Sequence, residues 1–258
     1  MKPAFTLAAI SDIHVNKYPI QQGFFDSVNE NADILLIGGD MNDGEPEEVE
    51  HFLQLVSGVT IPIIVIFGNH DCSSDNIARI KDTLSKNSLI KVLDGDYVEF
   101  NVNNKSIGIA GAKAFGGGFT PHRIVGRGEA AIRSFLQEED VELTKLNSAL
   151  NIMKEVAPEY KIVLTHWAAF VETIEGEPLE LYPVLGSSRF GDIIESVNPD
   201  LVLSGHAHHG PQGIKKARGL ISACNIAYKV NDGRMLFFDF FSPENIILRH
   251  DDSQSENS

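Results

Sequence analysis

The chain reads as an α/β protein of two stacked sheets flanked by helices. Three observations carry this expectation. Short runs of branched aliphatics alternate with amphipathic stretches over the first ninety residues, the pattern of a parallel sheet with helical crossovers. A second series of strands follows, opened by a hairpin and interrupted by one long helix. Finally, 258 residues with 43% hydrophobic and 8% aromatic content suffice for one large core.

Taken in order, Ala4–Ile10 is a first strand and Pro19–Glu30 an expected helix. Asp33–Ile37 contains Ile34-Leu35-Leu36-Ile37, a strand buried on both faces, closed by Gly38-Gly39-Asp40. Glu45–Val56 has Pro46 and acids in its first turn, which suits a helix N-terminus. Ile61–Phe67 is a third buried strand, and Ser74–Ser85 a third helix capped by Ser73 or Ser74. Tyr97–Val102 and Lys105–Ala110 flank Asn103-Asn104 as a hairpin. Gly116-Gly117-Gly118 marks a flexible loop, in which backbone amides that approach a phosphate are the alternative reading. His122, Arg123 and Arg127 beyond it are candidates for the non-reacting part of a substrate, or simply an exposed loop. Gly128–Glu155 is helical, with Leu143, Leu146, Leu150 and Met153 at spacings of three and four. Tyr160–Thr165, Leu201–Ser204, Leu220–Ala223, Met235–Phe240 and Ile246–Arg249 are strands, and Gly191–Val197 a helix. Residues 1–249 form one expected domain, and the polar, acidic segment 250–258 an expected disordered tail.

The formal net charge of −15 disfavours a broad surface for nucleic acid or anionic membrane. A small phosphorylated substrate stays compatible, since a local cation outweighs distant surface charge. No apolar run approaches the length that crosses a bilayer. Cys72 and Cys224 are too few for a disulfide framework, so a reducing cytoplasm is expected, with Cys72 read as a small core residue.

Open α/β sheets place ligands at the carboxyl ends of their strands. Here those ends carry Asp12-Ile13-His14, Asp40, Asn69-His70-Asp71, His166 and His206-Ala207-His208. Each alone has a plain reading: Asp40 as a helix cap, His166 as a core or surface histidine, His206 and His208 as a polar loop. Together they form a set. Residues two apart in extended chain project to one side, so Asp12 and His14 can meet one cation. Seven oxygen and nitrogen donors without a thiolate exceed one structural zinc. They suit two neighbouring divalent ions, with Asp40 as the natural bridge. Two such ions generate hydroxide near neutral pH and clamp the oxygens of an in-line displacement at phosphorus. His70, beside Asn69, is a candidate acid for the leaving oxygen, and Asp71 its candidate partner or a cap of the next helix.

These motifs, in this order and spacing, resemble those of the calcineurin-like metallophosphoesterase family over some two hundred residues. The resemblance implies a four-layer α/β/β/α sandwich of two mixed sheets. It implies one metal at Asp12, His14, Asp40 and His208, and a second at Asp40, Asn69, His166 and His206. It also implies His70 as general acid, oriented by Asp71. Two departures stand out. Thr165 and Trp167 flank His166 where many members have Gly and, shortly after, Pro, so the entrance beside the second metal should differ. Asp43 stands where the purple acid phosphatase branch has a metal-binding Tyr, so no fixed ferric ion is expected. The metals stay open among Mn, Fe, Zn, Ni and Co. The expected activity is phosphodiester hydrolysis, with phosphomonoesters as the alternative. A binding scaffold without turnover and a nuclease are the rivals, disfavoured by the complete residue set and by the acidic balance respectively.

Overall fold

The computed structural model describes residues 2–73 and 76–251. Four parallel strands start the chain: β1 (Phe5–Ile10), β2 (Ile34–Ile37), β3 (Ile63–Ile66) and β4 (Ile90–Leu93). Between them lie α1 (Val28–Asn31), α2 (Pro46–Leu55) and α3 (Ile77–Leu84). The hairpin follows as β5 (Asp96–Val102) and β6 (Lys105–Ala112), turning through Asn103 and Asn104 at φ 51° and 62°. Positive φ at both central residues is what a twist-matched two-residue hairpin demands, and asparagine tolerates it. A two-stranded ribbon, β7 (Gly118–Phe119) and β8 (His122–Arg123), precedes the long helix α4 (Ala130–Val156). The rest comprises β9 (Tyr160–Thr165), α5 (Ser188–Ile194), β10 (Leu201–Ser204), β11 (Lys215–Ala217), β12 (Ile221–Asn225), β13 (Leu236–Ser242) and β14 (Asn245–His250).

The strands form two mixed six-stranded sheets, ordered β14-β13-β1-β2-β3-β4 and β11-β12-β10-β9-β6-β5. Alternate residues of each strand face opposite layers. Leu7, Ala9, Leu36 and Ile64 meet Ile109, Ile162 and Leu203 between the sheets. Ala8, Ile10, Leu35 and Val65 pack outward on Val49, Phe52 and Ile80 of the helices. On the opposite outer face, Leu146, Leu150 and Met153 of α4 and Phe190 of α5 cover Val163 and Val202. Three apolar interfaces between four layers are the α/β/β/α sandwich the motifs implied.

Several boundaries differ from the sequence reading. The helix expected over Pro19–Glu30 shrinks to the single turn α1, because Gly23 adopts φ 94° and breaks the run. β4 and β11 escaped the pattern: their burial is partial and neither alternates cleanly. Asn76 rather than Ser73 precedes α3, and Ser73 Oγ instead donates to the Asp43 carbonyl; Ser74 lies outside the described residues. Cys72 is exposed, not a core residue. β14 runs to His250 and Asp251 is buried, so the expected tail is ordered in its first two residues; 252–258 lie outside the described residues. No helix of the described residues is long and apolar enough to cross a membrane.

Candidate metal centre

Strands β1, β2 and β3 of one sheet and β9 and β10 of the other deliver their carboxyl ends to a common edge. The chain leaves them through backbone conformations that L-residues rarely adopt. Asp12, His14, Asp40 and His206 have φ of 57°, 36°, 51° and 66°. Four non-glycine residues in the left-handed region at one place mark a functional constraint. The expectation that Asp12 and His14 share a cation through strand spacing is corrected in its reason: both lie past β1, and it is the left-handed turns that bring them together. Glycine packs where there is no room for more. A Cβ at Gly68 would fall 2.0 Å from Asp40 Oδ1, and one at Gly205 2.4 Å from Asp12 Oδ2.

Three groups of candidate donors result, each with its atoms within 4.8 Å of one another: Asp12, His14 and His208; His14, Asp40 and His70; Asp40, His166 and His206. Asn69 joins the last, its Oδ1 3.0 Å from His166 Nε2. All seven expected ligands are thus gathered around Asp40 and Asp12. Asp40 Oδ2 lies 3.7 Å from His14 Nε2 and 3.4 Å from His166 Nε2, so it stands between two sets of imidazoles. The pair His206 and His208 divides, one residue to each side.

Outer hydrogen bonds choose which nitrogen each imidazole presents. His166 Nδ1–H donates to the Gly38 carbonyl at 2.9 Å and His206 Nε2–H to the Val184 carbonyl at 2.9 Å. His14 Nδ1 meets Asp43 Oδ1 at 3.0 Å, which leaves Nε2 buried and without a hydrogen-bond partner among the described residues.

Asp12, Asp40, His14 and His166 are all buried, and no lysine or arginine among the described residues pairs with them. The electrostatics register this. Burial raises the Asp40 carboxyl, yet the His166 charge brings it below its usual range. Burial opposes protonation of His166, but Asp40 and Asp12 lift it to about 9. Burial, with the His166 charge beside it, pushes His206 down to about 4, and burial also lowers His14. Two buried carboxylates, four imidazoles and an amide oxygen, with an orphaned Nε2 aimed among them, fit divalent cations better than they fit one another.

The structure corrects the role expected of Asp71. Its carboxylate faces away from His70: Oδ2 accepts from the amides of Asp40 and Gly68 at 2.8 and 2.7 Å, and Oδ1 from the amide and Nδ2 of Asn42 at 3.1 and 2.8 Å. It clasps the loops after β2 and β3. Burial and the Asp40 charge push it up to about 7. The partner of His70 is Asp43, whose Oδ1 lies 2.9 Å from His70 Nδ1. One carboxylate oxygen therefore touches both His70 and His14. Asp43 reaches that edge through the bend that follows Asp40, not through a helical repeat that its spacing would announce. His70 is 46% exposed and its amide donates to Asp40 Oδ1 at 2.9 Å.

The glycine loop is not a free phosphate cradle. The amides of Gly117 and Gly118 already donate to the carbonyls of Pro183 and Gly186. Arg123 pairs with buried Glu139 at 3.3 Å, while His122 and Arg127 are exposed and no contact ties them to the ligands.

The family model described as calcineurin-like phosphoesterase matches residues 5–210. No curated protein matches the chain at a significant level. Among solved structures, the phosphopantetheinyl hydrolase of Mycobacterium tuberculosis superposes with a TM-score of 0.67 at 13% identity over 99% of each chain. TT1561 of Thermus thermophilus gives 0.63 at 15% identity, over 95% of this chain and 98% of its own. A putative 5'-nucleotidase from Staphylococcus aureus, solved in complex with alpha-ketoglutarate, gives 0.55 at 14% identity, over 95% of this chain and 52% of its own. At such identities these likenesses concern the fold.

Proposed function

The chain belongs to the calcineurin-like phosphoesterase family, and from that premise we propose that it hydrolyses phosphodiesters of small molecules with two divalent metal ions. The carrying observation is the placement of Asp40 between two sets of donors, Asp12, His14 and His208 on one side and Asn69, His166 and His206 on the other. Ions held there would supply a nucleophile at neutral pH and charge stabilisation at phosphorus. Their identity is open among Mn, Fe, Zn, Ni and Co.

The chain's own groups do the rest. His70 stands at the exposed rim, where a leaving oxygen can reach it, and donates the proton from Nε2. Asp43 holds its Nδ1–H and stabilises the charged imidazole before transfer. Asp71 keeps Asp40 and the His70 loop in fixed relation through its four accepted hydrogen bonds.

A diester is favoured over a monoester by charge. Among the described residues no lysine or arginine pairs with the ligand set, so the positive charge at phosphorus would come from the two ions alone, offset by two carboxylates, which suits a monoanion better than a dianion. The net charge of −15 argues against nucleic acid as substrate. The two unpaired cysteines suit a reducing cytoplasm.

The test compares bis(p-nitrophenyl) phosphate with p-nitrophenyl phosphate after metal stripping and re-addition of single ions. A phosphopantetheinyl ester, named for the Mycobacterium tuberculosis neighbour, belongs in the same panel. Hydrolysis that ignores a chelator would sink the metal-dependent reading, and a higher kcat/KM on the monoester would sink the diester preference.

A further inference from the structure

Trp167 is the chain's single tryptophan, and the chemistry above does not use it. It follows the candidate ligand His166 directly and lies against another, His206, with ring centroids 4.2 Å apart and planes inclined by 31°. Phe115 lies 5.1 Å away from the indole, and Phe135 of α4 stands 4.8 Å from Phe115. A train of four rings therefore runs from the long helix to a metal-ligand candidate.

His206 is tethered at one point, where Nε2–H donates to the Val184 carbonyl. Cβ and that hydrogen bond define an axis through the imidazole, and rotation about it is limited only by neighbouring rings, His166 at 5.0 Å and the closer indole. The indole, nearer and more nearly parallel than His166, is the face that opposes that rotation. Nδ1 is then the nitrogen left to present a lone pair to the group formed with Asp40 and His166. The indole is otherwise badly served by its place. It is only 7% exposed, and its Nε1–H has no partner among the described residues. A buried unpaired donor is unfavourable, and phenylalanine would avoid it. The position of Trp167 is thus set by ring contacts and not by its polar atom. The backbone supports it, since the amides of His166 and Trp167 both donate to the Lys113 carbonyl.

We propose that Trp167 is a positioning residue for His206, holding its imidazole plane toward the cation site of Asp40, Asn69 and His166. The same contact makes Trp167 emission a reporter of an ion held there. The inference rests on the two-ion reading of the site.

Metal-stripped protein is titrated with Co²⁺, following tryptophan emission, visible absorption and ion content by elemental analysis. In the wild type, emission falls as one of two ions binds. Trp167→Ala weakens one ion by about 10- to 100-fold, as removal of supporting groups around a ligand does elsewhere, and spares the other. Trp167→Phe keeps a ring face and recovers most of the loss, which a merely structural role for the indole would not single out to one ion. Emission indifferent to Co²⁺ while two ions are bound would overturn the inference, as would two wild-type affinities in Trp167→Ala of native circular dichroism. The wild-type titration needs no variant, so misfolding of the alanine variant does not remove the test. A wild type that takes up no ion at all would overturn both this inference and the function proposed above.

Discussion

Replacing Asp43 by asparagine should slow the enzyme in a way that depends on the leaving group. Its Oδ1 lies 2.9 Å from His70 Nδ1 and 3.0 Å from His14 Nδ1. A hydrogen bond to a charged group contributes about 1.5–3 kcal/mol. The Asp43 side chain is 42% exposed, so screening moves the value toward the lower end of that range. At 1.36 kcal/mol per factor of ten, kcat should fall by about 10- to 50-fold on esters with basic leaving groups. On p-nitrophenolate, which leaves without a proton, the loss should be small. The assay is kcat against leaving-group pKa for a series of aryl and alkyl methyl phosphates, with ion content measured on each preparation. The contact to His14 provides the control: if Asp43 acts mainly there, ion content drops and all substrates slow alike. A fully loaded Asp43→Asn enzyme with wild-type kcat on alkyl esters would refute the assignment.

His70→Ala should retain its ions and lose kcat mainly on poor leaving groups, and uniform rates across the series would remove its role as acid. Asp71→Ala strands the amides of Asp40, Asn42 and Gly68. Each unpaired buried donor costs about 1–3 kcal/mol, so chemical denaturation should show a loss of at least about 3 kcal/mol, and Asp71→Asn a smaller one; a loss under 1 kcal/mol, about what an ordinary substitution costs, would contradict the clasp. Re-adding Mn²⁺ to stripped protein at about a hundredfold excess over Kd should stabilise it by about 2.7 kcal/mol per ion, or about 5–10 °C in Tm; an unshifted Tm would argue against ion binding by the native fold. Asp239 accepts from Arg249 at 2.6 and 2.9 Å and from Thr6 Oγ1 at 2.8 Å, with Arg249 foremost in holding its carboxyl below the ordinary value. That stability is present in full above the unfolded aspartate pKa of about 3.9 and is lost as pH falls through the folded value. Asp239→Asn should therefore flatten the acid limb of the Tm profile, and an unchanged limb would contradict it.

The strand ends were legible because their strands are apolar on both faces. Leu35 and Ile64 cannot be exposed, so Asp40 and Asn69 must stand where the sheet stops. The ligand set followed from residue type at those ends. What stayed hidden depends on loop geometry. Asp71 adjoins His70 in sequence and so looked like its partner, but consecutive residues in a turn point apart, and the nearer carboxylate arrives from Asp43 in another loop. Likewise nothing in Pro19–Glu30 announced that Gly23 would take a positive φ and leave only the turn Val28–Asn31 helical. The indole on His206 joins residues thirty-nine positions apart, which no local pattern encodes.

Asp12, His14, Asp40 and Asn69 hang from one sheet, and His166, His206 and His208 from the other. Any cation they share would act as a rivet through the seam. Sliding one sheet over its neighbour by a fraction of an ångström would then be felt as poorer coordination. Residues remote from the edge inherit a stake in it: Phe5, stacked on Phe240 at 4.4 Å and edge-on to Tyr160 at 4.8 Å, sets how the two sheets seat. Trimming that ring should loosen metal affinity at a distance, without touching a single donor.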